Sequence, residues 1–380
     1  MKTQFSRRDW FKSTAALSAS LVVSTSLIDR LMAAPLSHAE DNFYLKTPNG
    51  KARLNSNENP YGPSDKARQA ISQILSECNR YPFNSLQEIE LILAKKEGVT
   101  PEHIHISAGS SSLLCQTAMA FGIEGGRLLS AFPTFPLLMN FGKVFNATWD
   151  KVNLNDKLEH DYDALAAAVQ SDTKLVFICN PNNPTGTFVD SHKVKLFCEE
   201  ISKKVTVFSD EAYMEFLEPS QQVSMVELVK KERNVIVSRT FSKVFGLAGL
   251  RIGYLVARPD LINKISKYAG DFPVSQAAIA AAKASLGDED FMSMVRSKNA
   301  VARKVLTDYL DQRKIFYGKS VTNFVFFPAP IDGKTILSKM EERGYLMRIW
   351  DYQQKEWCRV SIGTEEEMKG FVKAFGDLVS

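Results

Sequence analysis

The sequence predicts an α/β fold: a large domain with a mostly parallel sheet between helices, followed by a smaller α+β domain. Three observations carry this expectation. From Arg127 to Ala257, apolar runs alternate with polar loops and helical stretches, the pattern of strand–loop–helix units whose sheet is covered on both faces. Polar residues gather just after the apolar runs, at Asn183, Asp210 and Lys243, where sheets of this kind bind ligands. After Pro259 the pattern changes to long helices and then to short strands alternating with helices.

The first 39 residues stand apart from this fold. Arg7-Arg8, an aromatic pair and Lys12 precede a mild apolar run from Ser13 to Ile28, and small residues follow at Ala33-Ala34 and Ser37-His38-Ala39. A basic start, a short apolar stretch and small residues make an export signal, and the paired arginines resemble a twin-arginine (Tat) signal. Cleavage suits two places, after Ala39 and near Ala34. The segment 40–70 is expected to pack with the smaller domain, 71–286 to form the large domain and 287–380 the small one.

The stretch Leu54–Ser64 holds two prolines, a glycine and three asparagines and reads as a loop, with Ser64 or Asp65 capping a helix that runs to about Leu75. A second helix is expected from Ser85, with Leu86, Ile89, Ile92 and Leu93 on one side. Ile104–Ser107 reads as a strand, followed by the turn Ala108–Ser112 and an apolar helix, Leu113 to Phe121. Strands are then expected at Leu128–Ala131, Leu175–Cys179, Val205–Phe208, Val235–Val237 and Tyr254–Ala257. Helices are expected near Leu137–Phe145, at Asp163–Val169 and at Asp190–Lys203. Beyond Pro259, helices at Leu261–Gly270, Ser275–Leu286 and Asp290–Gln312 precede strands at Val325–Phe327 and Cys358–Ile362, with helices at Thr335–Arg343 and Glu365–Leu378.

Composition narrows the function. The 380 residues are 44% hydrophobic, enough for one large or two medium cores. The formal charge of +4 carries no basic block, which argues against nucleic acid as a partner. The five cysteines are isolated and odd in number, which argues against a disulfide framework and against a zinc site.

The chemistry centres on Ser238–Gly253. Two apolar runs flank Thr240, Ser242, Lys243 and Arg251. A lysine in so apolar a setting loses its proton easily and becomes a nucleophilic amine, which forms a Schiff base with an aldehyde. The hydroxyls of Thr240 and Ser242 and the forked cation of Arg251 suit an adjacent phosphate. An aldehyde with a phosphate, held on lysine, describes pyridoxal 5'-phosphate (PLP). The other groups that PLP catalysis needs are present. Asp210 can pair with the pyridine nitrogen; Asn183 and Tyr213 can serve the ring hydroxyl; Phe135 can lie on the ring face. Gly109, Ser110 and Ser111 open a helix whose free N–H groups favour a phosphate. Arg359, in an apolar strand, can hold a substrate carboxylate. Each residue has an ordinary reading alone: a cap for Asp210 or Ser110, a turn for Asn183, core for Phe135, a strand edge for Arg359. Their joint occurrence in this order favours the cofactor site.

The chain resembles the class I/II, fold-type I PLP aminotransferases, and within them the histidinol-phosphate aminotransferase family. The matching elements are Asn57–Pro63, Arg80-Tyr81-Pro82, Asn182–Gly186, Asp210–Tyr213, Thr240–Lys243, Gly249–Gly253, and Arg359 before Gly363-Thr364. The resemblance implies a homodimer with the site at the subunit interface, where Tyr81 reaches the partner's PLP phosphate. It implies that Lys243, Asp210 and Tyr213 are catalytic, and that Asn183, Tyr61, Arg348 and Arg359 bind substrate, an amino donor and a 2-oxo acid acceptor. Ser110-Ser111-Ser112 depart from the family, which often has an acidic residue or asparagine after the turn glycine. An export signal is also foreign to a cytoplasmic histidine pathway, so an aromatic amino acid is an alternative substrate. A PLP decarboxylase or lyase of the same fold shares these cofactor residues. A non-catalytic PLP-fold sensor would not need Lys243, Asp210 and Arg359 together.

Overall fold

The computed structural model describes residues 51–379. The export-signal reading at Arg7-Arg8 lies outside the described residues, as does the stretch 40–50.

Twelve strands, named in chain order, frame the described chain. They are β1 (Ala52–Arg53), β2 (Ile104–Ser107), β3 (Gly126–Phe132), β4 (Ala147–Asn153), β5 (Thr173–Cys179), β6 (Thr206–Asp210), β7 (Val235–Thr240), β8 (Gly253–Ala257), β9 (Phe324–Pro328), β10 (Tyr345–Leu346), β11 (Arg348–Tyr352) and β12 (Lys355–Ser361). Seven form one sheet in the order β2-β8-β7-β6-β5-β3-β4. All run parallel except β8, which is antiparallel to β2 and β7.

The apolar runs explain why this sheet is covered on both faces. Side chains alternate across a strand. On β5, Val176 and Ile178 enter one core while Leu175, Phe177 and Cys179 enter another. The same division separates Val235 and Val237 from Ile236 on β7. Each such fully buried side chain contributes about 1.5–3 kcal/mol relative to exposure. The flanking helices begin at side-chain caps that the sequence supplies. Ser64 accepts from the Ala67 N–H ahead of Asp65–Ile74, Asp190 from those of His192 and Lys193 ahead of Ser191–Ile201, and Ser275 from that of Ala278 ahead of Gln276–Leu286.

A second group of elements follows. β12 lies between β11 and β9, antiparallel to both. The helices Glu289–Gln312, Gly333–Glu342 and Glu365–Val379 supply Leu306, Met340, Phe371 and Phe375 to a third core, with Phe327 and Val360 from the strands and Leu54 from the loop after β1. β1 pairs in parallel with β10, so the start of the described chain joins this group.

Three departures from the sequence expectations have physical reasons. β4 and β11 were not expected; both are edge strands with partly exposed, charge-bearing faces, which hide the period of two. The second helix begins at Phe83 rather than Ser85, because Pro82 occupies a helix-start position where a missing N–H costs nothing. The helix expected at Leu113 begins at Gly109, so the glycine-serine turn is itself the helix's first turn.

Candidate active site

The functional side chains gather at the C-terminal edge of the large sheet. Asp210 ends β6 and Thr240 ends β7. Asn183 follows β5, Lys243 follows β7, and Gly109 opens the helix that follows β2.

Lys243 is half-buried, and its Nζ donates to the carbonyls of Ser56 at 3.5 Å and Asn57 at 3.3 Å. It stands 5.6 Å from the centre of the Tyr213 ring. Burial first, and then the Arg359 cation, lower its pKa to about 8, against the pull of Glu58 and Asp210. Near neutral pH this lysine exchanges its proton readily.

Asp210 is 3% exposed, and its Oδ1 accepts one hydrogen bond, from the Ala212 N–H at 3.2 Å. Burial raises its pKa to about 7; the Ala212 N–H and Lys243 oppose the shift, and Glu211 adds to it. Glu211 in turn pairs with buried Arg239 at 3.1 Å. A carboxylate so desolvated calls for a cationic partner. The protonated nitrogen of a pyridine ring is such a partner, so this residue fits the cofactor expected from the sequence.

Tyr213 is buried, and its hydroxyl accepts from Asn57 Nδ2 at 3.0 Å and from Asn183 Nδ2 at 3.4 Å. Burial raises its pKa. Asn183 Oδ1 accepts from Arg359 Nη1 at 3.0 Å, and Arg359 Nη2 donates to the Asn55 carbonyl at 2.5 Å. Lysine, phenol, amide and guanidinium therefore form one connected cluster, and the Asp210 carboxylate lies close enough to Lys243 to act on its charge.

A cradle for a phosphate lies beside it. The helix Gly109–Gly122 starts without a side-chain cap, with Ser110 and Ser111 half-buried in its first turn. Arg251 takes a left-handed conformation at φ 53°, and donates to Ala248 O at 2.8 Å and Ser242 Oγ at 3.5 Å. A Cβ on Gly109 would lie 2.5 Å from Arg251 Nη2, so only glycine lets the guanidinium reach the helix start. The Thr240 hydroxyl accepts from the Ser242 N–H at 3.1 Å.

The remaining expected residues sit further out. Phe135 is half-buried in the loop after β3 and packs against the core containing Leu138 and Phe177. Tyr61 is half-buried, with Lys298 Nζ 4.9 Å above its ring. Arg348 begins β11 directly opposite Arg359 on β12. Tyr81 is 71% exposed and lies 4.9 Å from Phe272, ring centre to ring centre.

A mostly parallel sheet ending in this cluster carries the groups that a PLP enzyme needs. Comparison with known proteins gives the family. The description "Aminotransferase class I and II" matches residues 49–375, and the chain belongs to that family. It is a PLP-dependent aminotransferase. Among its relatives, histidinol-phosphate aminotransferase 1 of Cupriavidus pinatubonensis is 36% identical over 90% of this chain and 91% of its own length. Histidinol-phosphate aminotransferase 2 of Pasteurella multocida is 35% identical, covering 86% of this chain and 90% of its own. The solved structure of histidinol-phosphate aminotransferase from Sinorhizobium meliloti, in complex with pyridoxal-5'-phosphate, aligns with a TM-score of 0.79 at 27% identity, over 86% of this chain and 90% of that one.

Sequence reasoning missed Asn57, Asn55, Ser361 and Asn323 as parts of the site. Asn323 Nδ2 donates to the Asn57 carbonyl at 3.0 Å, and Ser361 Oγ receives the Asn57 N–H at 2.8 Å. The available signal was the matching element Asn57–Pro63, which assigned Asn57 no role of its own.

Proposed function

We propose that this enzyme moves the amino group of an amino-phosphate donor to a 2-oxo acid acceptor. The observation that carries the proposal is the linking of Lys243, Asn183, Tyr213 and Arg359 in one hydrogen-bonded cluster beside buried Asp210, with Arg348 opposite Arg359. Residues directly opposite on antiparallel strands share a face. Two guanidiniums on one face suit an anionic group: the carboxylate of the acceptor, or the phosphate of the donor. The histidinol-phosphate aminotransferase relatives support the same donor class.

When bound, PLP supplies the electron sink that stabilises negative charge on the substrate carbon. Asp210 would keep the ring nitrogen protonated. Gly109, Ser110, Ser111, Thr240, Ser242 and Arg251 would hold the phosphate, and Phe135 would cover a ring face. Asn183 and Tyr213 would donate to the ring oxygen. Lys243 Nζ would be the amine that holds the aldehyde and the base that moves a proton at the substrate carbon. Tyr61 would border the substrate.

In this reading, 71–286 form the cofactor-binding domain and 287–380 the small domain, which the described chain before residue 71 joins through β1. Two copies pair so that Tyr81, exposed beside Phe83 and Phe272, completes the partner's phosphate site. Arg7-Arg8 would direct the enzyme to the Tat machinery and out of the cytoplasm.

The test is a panel of amino-donor half-reactions followed by the cofactor's absorbance change. L-histidinol phosphate should react faster than aromatic amino acids, and the amino acids that react should give 2-oxo acids with no carbon dioxide released. Reaction of aromatic amino acids alone would replace the donor class. Carbon dioxide in place of 2-oxo acid would make the enzyme a decarboxylase.

A further inference from the structure

Asn57 is 1% exposed and sits at φ 53°, a left-handed conformation that asparagine tolerates better than most residues. All of its polar groups are engaged, and they reach into two parts of the fold. Its N–H donates to Ser361 Oγ at 2.8 Å, and the same hydroxyl donates back to Asn57 Oδ1 at 2.8 Å. Its carbonyl accepts from Lys243 Nζ at 3.3 Å and Asn323 Nδ2 at 3.0 Å. Its Nδ2 donates to the Tyr213 hydroxyl at 3.0 Å.

The direction of these bonds matters. Ser361 accepts the backbone N–H, so its single proton goes to Oδ1. That pins the amide oxygen on β12 and turns Nδ2 toward Tyr213. A phenol has one proton to give and two lone pairs to receive with. Asn57 and Asn183 each offer an amide N–H to those lone pairs, the second at 3.4 Å. The Tyr213 proton is then left for a third partner, beside Lys243.

We propose that Asn57 is a positioning residue: held by Ser361, it fixes the Tyr213 hydroxyl as a hydrogen-bond donor to the ring oxygen of the bound cofactor. This rests on the proposed role of Tyr213. Hydrogen-bond chains polarise one another, so donation to the Tyr213 oxygen also makes its O–H a stronger donor. Such a donor favours the deprotonated ring oxygen and lowers the proton affinity of the lysine-bound cofactor.

The experiment compares wild type, Asn57→Gly, Tyr213→Phe and the double variant, each loaded with PLP. Glycine keeps the positive φ and the backbone bonds to Ser361, Lys243 and Asn323, and removes only the side chain. The readouts are the pH midpoint of the visible absorbance change and the Kd from adding PLP to stripped protein. Tyr213→Phe should move the midpoint upward. Asn57→Gly should move it in the same direction by about half a unit, the scale of one neutral hydrogen bond, with kcat about fivefold lower and donor KM nearly constant. In the Tyr213→Phe background the Asn57→Gly shift should vanish. A shift that persists there, or no shift in Asn57→Gly alone while Tyr213→Phe shifts, overturns the inference and leaves the Tyr213 role standing. No shift in Tyr213→Phe removes that role and the inference with it. Should Asn57→Gly fail to fold, Ser361→Ala releases the same amide from the far side and is judged by the same midpoint and the same double variant.

Discussion

Replacing Asp210 by asparagine should stabilise the cofactor-free protein while it disables the loaded enzyme. The carboxyl's pKa rises from 3.8 to about 7 through burial. Between these values the folded state binds the proton more tightly than the unfolded one, so stability falls as pH rises through that window. The cost of ionising Asp210 in the folded chain is about 1.6 kcal/mol at about pH 5 and levels off near about 4 kcal/mol by about pH 8. Asparagine has nearly the same shape, keeps an oxygen for the Ala212 N–H, and carries no charge. Urea unfolding of stripped wild type and Asp210→Asn should therefore show a gain for the variant that is larger at pH 8 than at pH 5, by about 2–3 kcal/mol. The loaded variant should retain PLP yet lose turnover, because the ring nitrogen is no longer held protonated. A stripped variant less stable than wild type at pH 8, or a gain equal at both pH values, would refute the reasoning.

Arg359→Ala should raise KM for carboxylate substrates by about 10- to 150-fold, the equivalent of about 1.5–3 kcal/mol for a charged hydrogen bond; an unchanged KM would reject the residue as the anion fork. Tyr81→Phe should weaken PLP retention without unfolding the protein, and a fully active monomer in sedimentation and assay would contradict the shared site. Replacing Arg7 and Arg8 by lysines should leave unprocessed, active enzyme in the cytoplasm, and continued export on fractionation would remove the twin-arginine reading. That route suits a PLP enzyme, because the cofactor is held only by a folded pocket and a chain threaded unfolded could not carry it.

The parts of the fold that were legible in the sequence are those where one local pattern has one meaning. The apolar runs of β5 and β7 are buried on both faces, so their residues carry no polar interruption. Lys243 stood out because a lysine between two such runs has no solvated place to go. The edge strands β4 and β11 were illegible because half of each surface meets water and carries Asp150, Lys151 or Asp351. The role of Asn57 was illegible for a different reason. Its partner Ser361 lies 304 positions along the chain, and nothing in an asparagine's neighbours records so distant a contact. Arg348 and Arg359 were each visible, but their standing opposite one another depends on strand register, which follows from the packed fold.

The central claim is that Lys243 carries the cofactor, and borohydride reduction of the PLP-loaded enzyme followed by peptide mapping tests it most directly. The reduced cofactor should be found attached to the peptide containing Lys243 and to no other, and Lys243→Ala should show neither the label nor turnover. A label on a different lysine, or a Lys243→Ala enzyme that turns over at the wild-type rate, would contradict the account.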